Sequence, residues 1–395
     1  MSRELPAILS QHFVERYFDL ILLPSSHRGF HDDWLAGIKN LMSSHDGLYY
    51  SVLACSASHI HLLNNSTPAQ SFSLQYYSSA TKALSVQLTG PADPEDDNGL
   101  LMTVVLLYLH GCMGLGTYSD IPIHVNAAMR IVRSRFLEGS GTIQYLFDRI
   151  AVESVLYQIF LMSTGLWTQA PEADFTFDDH FWGQAEDILD RCHLFPGNDT
   201  ATLNSPVLGL PPALFRLSFL LRSQFGCGLF PDPAVVNQVR SEVEDWELAL
   251  LLLDEPFPSF VEHNSAPQAA YEAEAQQVHR DAKCLYALIA SLLLGQLDRD
   301  NDPGSGPPLP ESPEAWQVAK AVRILKRHKR TVGWTKCFIG NWPVYTIGFF
   351  MTASQDQELV RDDLQRRCDA MGSAQVARFK QDLEKVWAQR RGDSI

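Results

Sequence analysis

The sequence predicts an all-α fold: a single large domain of many orthogonally packed helices, with few or no strands. Three observations indicate this. Apolar residues recur at three- and four-residue spacings in one segment after another. No stretch of alternating apolar and polar residues is longer than about five residues, and no repeat of fixed period is present. Hydrophobic residues make up 46% of the 395 residues, enough for a sizeable buried core.

The first clear helices are predicted within residues 47–88. Residues 47–63 are rich in small side chains, which lets neighbouring helices approach closely. Residues 71–88 are typical of an amphipathic helix. Its apolar stripe follows the helical spacing and consists of Leu74, Tyr77, Thr81, Leu84 and Leu88.

An apolar run at 100–109 has three interpretations: a membrane span, a strand before a phosphate loop, or a core helix. The run covers only half of the roughly 20 residues that a spanning helix needs. Upstream, Asp93 suits a helix N-cap and Pro94 the first helical position, and the acidic residues that follow favour a helix start. Gly111 fits a left-handed residue just past a helix end. We therefore predict a central buried helix over 94–110.

Glycines follow this predicted helix at 111, 114 and 116. Their spacing differs from that of a dinucleotide-binding loop, and a helix precedes them where that loop needs a strand. The sequence thus predicts the end of a buried helix here and no phosphate site.

Further helices are predicted over 124–136, 151–167, 211–225, 235–253, 273–297 and 375–391. Two segments interrupt them. Residues 168–212 are interpreted as acidic and loop-rich, and 298–313 as a mobile Pro/Gly/Asp surface loop inside the single domain 1–395. Ser312 is predicted to cap the next helix, with Pro313 in its first turn.

Charge and cysteine content exclude several classes of protein. The formal net charge of −15 repels phosphate backbones, so we expect no direct nucleic-acid binding. We expect no membrane segment, and residues 1–13 lack the features of a secretory signal. The seven cysteines lie far apart and form no CxxC pair, which favours free, mostly buried thiols in a reducing compartment.

No catalytic or cofactor motif is present, so we expect no catalytic residue, no cofactor and no metal site. His59 and His61 stand two apart on a predicted helix and point away from each other. The adjacent residues 178–180, Asp-Asp-His, are expected to be solvated.

Two segments have a structural and a functional interpretation each. The basic residues Lys326, Arg327, Lys329 and Arg330 suit a nuclear localisation signal or a phosphate contact. They also suit the solvated face of a helix whose apolar side carries Val318, Val322 and Leu325. The aromatic segment 334–350 is typical of a core and also of the wall of an apolar ligand pocket.

The order of many weak motifs carries a family resemblance. These motifs are 47–63, 74–88, 93–111, 124–132, 205–217, the helices around Trp246 and Tyr286, 341–350 and 357–387. In this order the chain, over about residues 10–390, resembles the regulatory (middle homology) domain of fungal Zn(II)2Cys6 transcription factors. It is most similar to the branch of the acriflavine-sensitivity and arginine-catabolism regulators.

The resemblance implies an all-α domain, often dimeric, that senses or relays a signal beside a DNA-binding zinc cluster. Some relatives hold an apolar ligand near the C-terminal helices. The six-cysteine cluster of the family does not occur here: the first cysteine, Cys55, lies in a predicted helix. We therefore expect no DNA binding by this chain alone, unless an upstream reading frame encodes the cluster.

The first functional hypothesis is a regulator in the nucleus, with the cytoplasm as the alternative location. It would act through a homodimer, a DNA-binding partner protein or a small apolar ligand, and it would serve a metabolite pathway. The second is a cofactor-free enzyme or binding protein of secondary metabolism on the same scaffold. The expected pocket residues are Tyr108, His110, Trp167, Trp342, Tyr345 and Phe349, with His110 as the polar group.

Overall fold

The computed structural model describes residues 4–88, 97–114, 116–138, 142–169, 176–195, 204–225, 233–252, 267–299 and 306–392. Over these residues it contains sixteen α-helices, a few short π and 3₁₀ segments, and no strand. The prediction of an all-α fold is confirmed. None of the helices in the described residues is long and apolar enough to cross a membrane.

The chain folds into two compact units, each with its own interior. Unit 1 comprises Met1–Ile159, Asp174–Gly209 and Met371–Gln375, and unit 2 comprises Phe160–Ala173, Leu210–Ala370 and Val376–Ile395. The expectation of one domain over 1–395 stays a prediction.

Unit 1 is built on its third helix. Its helices are α1 (Glu4–His12), α2 (Arg28–Leu41), α3 (Asp46–Asn64), α4 (Thr67–Leu88), α5 (Asn98–Met113), α6 (Ile121–Val132), most of α7 (Leu146–Thr164) and α8 (Asp179–Asp190). π-helical turns follow α1 at Phe13–Tyr17 and α6 at Arg133–Leu137. Helix α3 packs against α1, α4 and α5. Its small residues, from Ser51 to Ser58, are buried, as their size predicts.

Helix α5 is the predicted buried helix, with shifted ends. It runs Asn98–Met113, and its N-cap is Asp97, whose side chain accepts from the Leu100 N–H at 2.9 Å. Residues 93–96, where the start was expected, lie outside the described residues. Every residue from Gly99 to Tyr108 is buried, as an all-round apolar helix requires.

The predicted left-handed end at Gly111 is wrong. The helix continues for two residues past it, and the left-handed glycine is Gly116, with φ of +95°. At Gly111 a Cβ would lie 2.5 Å from Ile121 Cγ1, so this glycine permits close approach of the following helix.

The predicted face of α4 is only partly right. Tyr77 and Leu84 are buried, but Leu74 and Leu88 are 40% and 52% exposed. The buried side chains are Ala69, Ser73, Tyr76, Tyr77, Ala80 and Leu84. Small Ser and Ala side chains face the neighbouring helices, because they permit closer packing than the larger leucines would.

We expect Gly99→Ala to destabilise the protein by about 1–3 kcal/mol. An added Cβ would overlap the His45 ring, which is held by Asp97 at 3.0 Å. The matched control is Gly183→Ala in α8, where an added Cβ meets nothing within 4 Å. That change should raise stability by up to about 1 kcal/mol. Urea unfolding measures both, and equal effects would contradict the packing at Gly99.

The segment 168–212 contains a helix that the interpretation as a loop overlooked. Helix α8 occupies Asp179–Asp190, and its N-cap Asp178 accepts from the Phe181 N–H at 2.9 Å. Its buried residues are Phe181, Trp182, Ala185, Ile188 and Leu189, which follow the helical spacing. The many acidic residues between them obscured this pattern.

Unit 2 is built around one long helix, α11. Its helices are α9 (Pro212–Ser223), α10 (Pro233–Leu252), α11 (Pro267–Arg299), α12 (Trp316–Arg327), α13 (Val332–Lys336), α14 (Asn341–Ile347), α15 (Ser354–Met371) and α16 (Ala374–Arg391). Helix α11 packs against α9, α10, α12, α13 and α14. On α12 the predicted apolar side of Val318, Val322 and Leu325 is buried.

The described residues of the segment 298–313 form hydrogen bonds to neighbouring elements, and the predicted mobility of the segment stays a prediction. Residues 300–305 lie outside the described residues. Leu309 exchanges two hydrogen bonds with the Gln296 side chain, at 2.7 and 3.0 Å, and the Glu311 N–H donates to Phe350 O at 2.8 Å. Ser312 does not cap the next helix: α12 begins at Trp316, and Ser312 Oγ accepts from Glu314 N–H in a preceding turn.

Candidate functional site

Tyr108 and His110, the two pocket residues predicted on α5, lie in unit 1 and are buried. The Tyr108 hydroxyl donates to Ser154 Oγ at 2.6 Å. Both partners are shielded from solvent, so this pair joins α5 to α7 within the core.

His110 is held by two hydroxyl groups. Ser73 Oγ donates to Ala54 O at 3.1 Å and therefore accepts from His110 Nε2–H at 2.7 Å. The Thr117 hydroxyl then donates to His110 Nδ1 at 2.8 Å. Burial, with a smaller effect of nearby His124, lowers the pKa of His110 to about 4. Both ring nitrogens of this neutral imidazole are therefore engaged by hydroxyl groups of the protein.

Three side chains whose hydrogen bonds were not predicted from the sequence, Tyr77, Asp120 and His124, lie beside His110. The Tyr77 ring stacks on the His110 ring with centroids 5.0 Å apart. Its hydroxyl donates to Asp120 at 2.8 Å and accepts from His124 Nε2 at 2.7 Å. Burial and the Asp120 carboxylate raise the pKa of Tyr77. These hydrogen bonds link α4 to α6 and to Asp120, the residue before α6.

In unit 2, Trp167, Tyr345 and Phe349 contact one another. The Tyr345 hydroxyl accepts from the Trp167 backbone N–H at 2.8 Å and donates to Asp382. The Phe349 ring packs edge-on against the Tyr345 ring, with the two centroids 5.1 Å apart. Its centroid lies 6.1 Å from that of the Trp167 ring. The Arg222 guanidinium covers the Trp167 ring at 4.2 Å. These aromatic side chains are packed core residues.

Trp342 lies in a separate aromatic cluster of unit 2. Its ring stacks on Tyr286 at 5.7 Å and meets Phe160 edge-on at 5.1 Å. Trp342 is fully buried. The interpretation of 334–350 as core thus agrees with these contacts, and the expected ligand role of the six residues stays a prediction.

Two cavities of unit 1 are lined by other residues. A cavity of about 270 Å³ lies between the end of α1, the π turn Phe13–Tyr17, α2 and α3. An open groove of about 730 Å³ lies beside the start of α3. None of the six predicted pocket residues lines either of them. Helical periodicity gives no sign of these spaces, because they arise from how helices meet.

Two residues of the basic run 326–330 contact buried groups, and the other three do not. Arg327 forms two hydrogen bonds of 2.8 Å to the buried carboxylate of Asp281, and the buried His328 ring stacks on Trp334 with centroids 4.4 Å apart. Lys326, Lys329 and Arg330 are exposed. Arg327 and His328 therefore anchor the run, while its other three cations face solvent.

Among the side chains that the structure describes, no group of three or more metal-binding residues is found. His59 Nδ1 faces His12 Nε2 at 3.0 Å, whereas His61 Nδ1 faces Ser66 O at 3.0 Å, so the two histidines do not converge, as predicted. Asp178 is an N-cap that also binds Arg133.

The cysteines that the structure describes are all thiols. Five are buried, and Cys368 is partly exposed. Cys227 lies outside the described residues. For these six the prediction of free, mostly buried thiols is confirmed.

We expect the protein to lose stability as pH falls from about 6.5 toward 4. Burial lowers the pKa of His59, His110 and His279 from 6.5 to about 4 each. Between pH 6.5 and pH 4 the unfolded chain binds more protons than the folded one. The free energy of unfolding therefore decreases as the pH decreases. Each imidazole should contribute a slope of up to about 1.4 kcal/mol per pH unit.

Urea unfolding at pH 7.5, 6.0 and 5.0 measures this slope. His110→Gln should reduce it, whereas His180→Gln, which changes an exposed histidine, should not. Equal stability at pH 7.5 and 5.0 would contradict the buried neutral histidines.

Sequence comparison places the whole chain in one family. The family model described as the fungal specific transcription factor domain matches residues 8–395. Neither a curated protein nor a solved structure matches the chain significantly. The match confirms the resemblance carried by the order of the helical motifs. It covers nearly all 395 residues, and the chain therefore belongs to the fungal specific transcription factor domain family.

Proposed function

We propose that this chain regulates transcription in the fungal nucleus as a regulatory domain that acts through a DNA-binding partner protein. The match to the transcription factor domain over residues 8–395 carries this proposal. The net charge of −15 supports the need for a partner, because an acidic protein is repelled by DNA phosphates.

Within each unit, the packing of the expected pocket residues supports partner action over ligand binding at these residues. Tyr108, His110 and Tyr345 direct their polar atoms to protein groups. Trp167 and Trp342 pack against aromatic and cationic side chains. A ligand would have to displace these contacts, at the cost of leaving buried polar groups unpaired.

The exposed cations of the basic run support nuclear entry. Lys326, Lys329 and Arg330 lie within five residues, are exposed, and have no ion-pair partner among the described residues. Arg327, the fourth basic residue, lies 2.8 Å from Asp281. Clusters of this kind are read by nuclear import machinery.

We expect a fluorescently tagged chain to accumulate in the nucleus and to lose that accumulation when Lys326, Lys329 and Arg330 are changed together to glutamine. The control changes three scattered, exposed lysines, Lys39, Lys82 and Lys385, to glutamine. This control removes the same charge but no cluster, so it should remain nuclear.

Fluorescence microscopy of the two variants measures their nuclear fractions and tests whether the basic run directs nuclear entry. Equal nuclear fractions for both would overturn the role of the basic run. A wild-type chain that stays cytosolic under every growth condition would overturn the nuclear function itself.

A further inference from the structure

We propose that Thr331 is a phosphorylation site and that its phosphate controls the nuclear entry of the chain. Thr331 directly follows the basic run 326–330 and precedes α13. The assignment of Thr331 as a phosphate acceptor stands on the local structure and charge. Its regulatory effect rests on the proposed function, in which the basic run directs nuclear entry.

The Thr331 hydroxyl lies where a kinase can reach it. The residue is partly exposed in the short connection between α12 and α13, and its backbone is extended, with φ of −84° and ψ of 114°. It occupies the N-cap position of α13, but its side chain makes no capping hydrogen bond. Transfer of a phosphoryl group to the hydroxyl oxygen therefore breaks no capping contact.

Positive charge precedes this hydroxyl in the sequence. Lys326, Lys329 and Arg330 are exposed and lie within the five residues before Thr331. Residues 326–336 contain no aspartate or glutamate. A kinase whose substrate groove is acidic would bind such a segment, because complementary charge steers the encounter and fixes the register. The segment thus fits a serine/threonine kinase that selects basic residues on the N-terminal side of the acceptor.

The modification consumes ATP, which the kinase binds with Mg²⁺. The Thr331 hydroxyl oxygen attacks the γ-phosphorus of ATP and forms a new O–P bond. The bond between the γ-phosphorus and the β–γ bridging oxygen breaks, and ADP leaves. The hydroxyl proton passes to the catalytic aspartate of the kinase. The product is a phosphothreonine with a charge of about −2 at pH 7.

Cations for this phosphate lie nearby within unit 2. The Thr331 N–H and Arg366 Nη1 both donate to the His328 carbonyl oxygen, at 3.2 and 3.1 Å. The Arg366 guanidinium therefore lies beside the Thr331 backbone. Lys329 and Arg330 are the exposed cations that come just before it in the sequence. Phosphate oxygens form strong, charge-assisted hydrogen bonds with such groups.

Phosphorylation would remove most of the positive charge that the basic run presents to solvent. Its three exposed, unpaired cations carry a charge of +3, because the fourth cation, Arg327, is paired with Asp281. A phosphate of about −2 would leave a net charge of about +1. Import receptors read clusters of lysine and arginine. We therefore expect the phosphorylated chain to stay in the cytosol and the unmodified chain to enter the nucleus.

Mass spectrometry of the full chain, isolated separately from nuclear and cytosolic fractions of the host, tests the site. We expect phosphate on Thr331 in the cytosolic fraction and its loss from the nuclear fraction. Thr352 is the control, because it is exposed but residues 342–351 before it contain no lysine or arginine, and it should carry no phosphate. Absence of phosphate from Thr331 in both fractions under every growth condition tested would overturn the site. Equal occupancy in both fractions would overturn the regulatory role alone.

Tagged variants test the effect of the charge. Thr331→Glu combined with Val332→Glu adds two negative charges beside the run, at an acceptor and a neighbour that is 64% exposed. This variant should lose nuclear accumulation. Its matched control, Thr331→Gln with Val332→Gln, has side chains of the same size without charge and should stay nuclear. Thr331→Val, which cannot be phosphorylated, should be nuclear even where the wild-type chain is cytosolic.

Equal nuclear fractions for the glutamate variant and its glutamine control would overturn regulation by charge at Thr331. The variant in which Lys326, Lys329 and Arg330 are changed to glutamine separates this failure from that of the proposed function. If it is excluded from the nucleus while the glutamate variant enters, the run directs entry and Thr331 does not control it. If both enter, import through the run is overturned together with its regulation, and mass spectrometry alone decides the phosphorylation site.

Discussion

Asp363→Asn is expected to lower the free energy of unfolding by about 3–5 kcal/mol. Asp363 is fully buried on α15 and accepts from Trp334 Nε1 at 2.7 Å, Arg366 at 2.9 Å and Arg367 Nε at 2.6 Å. Arg367 is also fully buried. When the Asp363 carboxylate is lost, the guanidinium of Arg367 remains as an uncompensated buried charge.

The same guanidinium connects further parts of unit 2. Arg367 donates to Cys337 O at 2.9 Å and to Asn341 Oδ1 at 3.0 Å. A Cβ at Gly340 would lie 2.8 Å from its terminal nitrogen, so that glycine leaves room for it. The ion pair therefore links α15 to the turn between α13 and α14.

Urea unfolding followed by tryptophan fluorescence measures the loss. The control is Asp369→Asn, an exposed position on the same helix, which should change stability by less than about 0.5 kcal/mol. Similar values for the two variants would show that Asp363 does not hold the buried network together.

The second large effect is expected for Glu153→Gln in unit 1, at about 3 kcal/mol. The buried Glu153 accepts from Arg149 Nε at 2.8 Å on one oxygen. Its other oxygen accepts from the Ser205 hydroxyl and from the Val207 and Leu208 N–H groups, at 2.9–3.0 Å. Whichever way the glutamine amide points, its NH₂ would face a donor.

Hydrogen exchange tests this prediction locally. The Val207 and Leu208 amides should exchange faster in the variant, and the free energy of unfolding should fall. Asp33→Asn at an exposed site on α2 is the control. Unchanged exchange at both amides would contradict the role of Glu153 in fixing residues 204–209.

Helix periodicity identifies elements well where one side of a helix is apolar. In the predicted helices 124–136 and 375–391, the apolar residues at helical spacing are buried: Val125, Met129, Val132 and Phe136 in the first, and Val376, Phe379, Leu383 and Val386 in the second. It fails where small residues make up part of the buried face, as on α4, or where acidic residues interrupt the pattern, as on α8.

Helical periodicity does not predict which distant residues a buried polar side chain contacts. Glu153 binds groups more than fifty residues away, and His110 depends on Ser73 and Thr117 from other segments. His110 lies on a helix that the sequence predicts to be buried, and it is buried, but only these contacts show that its ring nitrogens are engaged. The cavity at Phe13 and Val52 has the same origin: it reflects a π turn and the meeting of three helical segments, neither of which has a sequence signature.

We propose that this member of the fungal specific transcription factor domain family regulates transcription. Its most direct test compares transcript levels in the fungal host between a deletion strain, that strain complemented with the intact chain, and the parent. We predict a defined set of transcripts that changes on deletion and returns to parental levels on complementation. Identical transcript levels in the deletion strain and the parent under every growth condition tested would contradict the account.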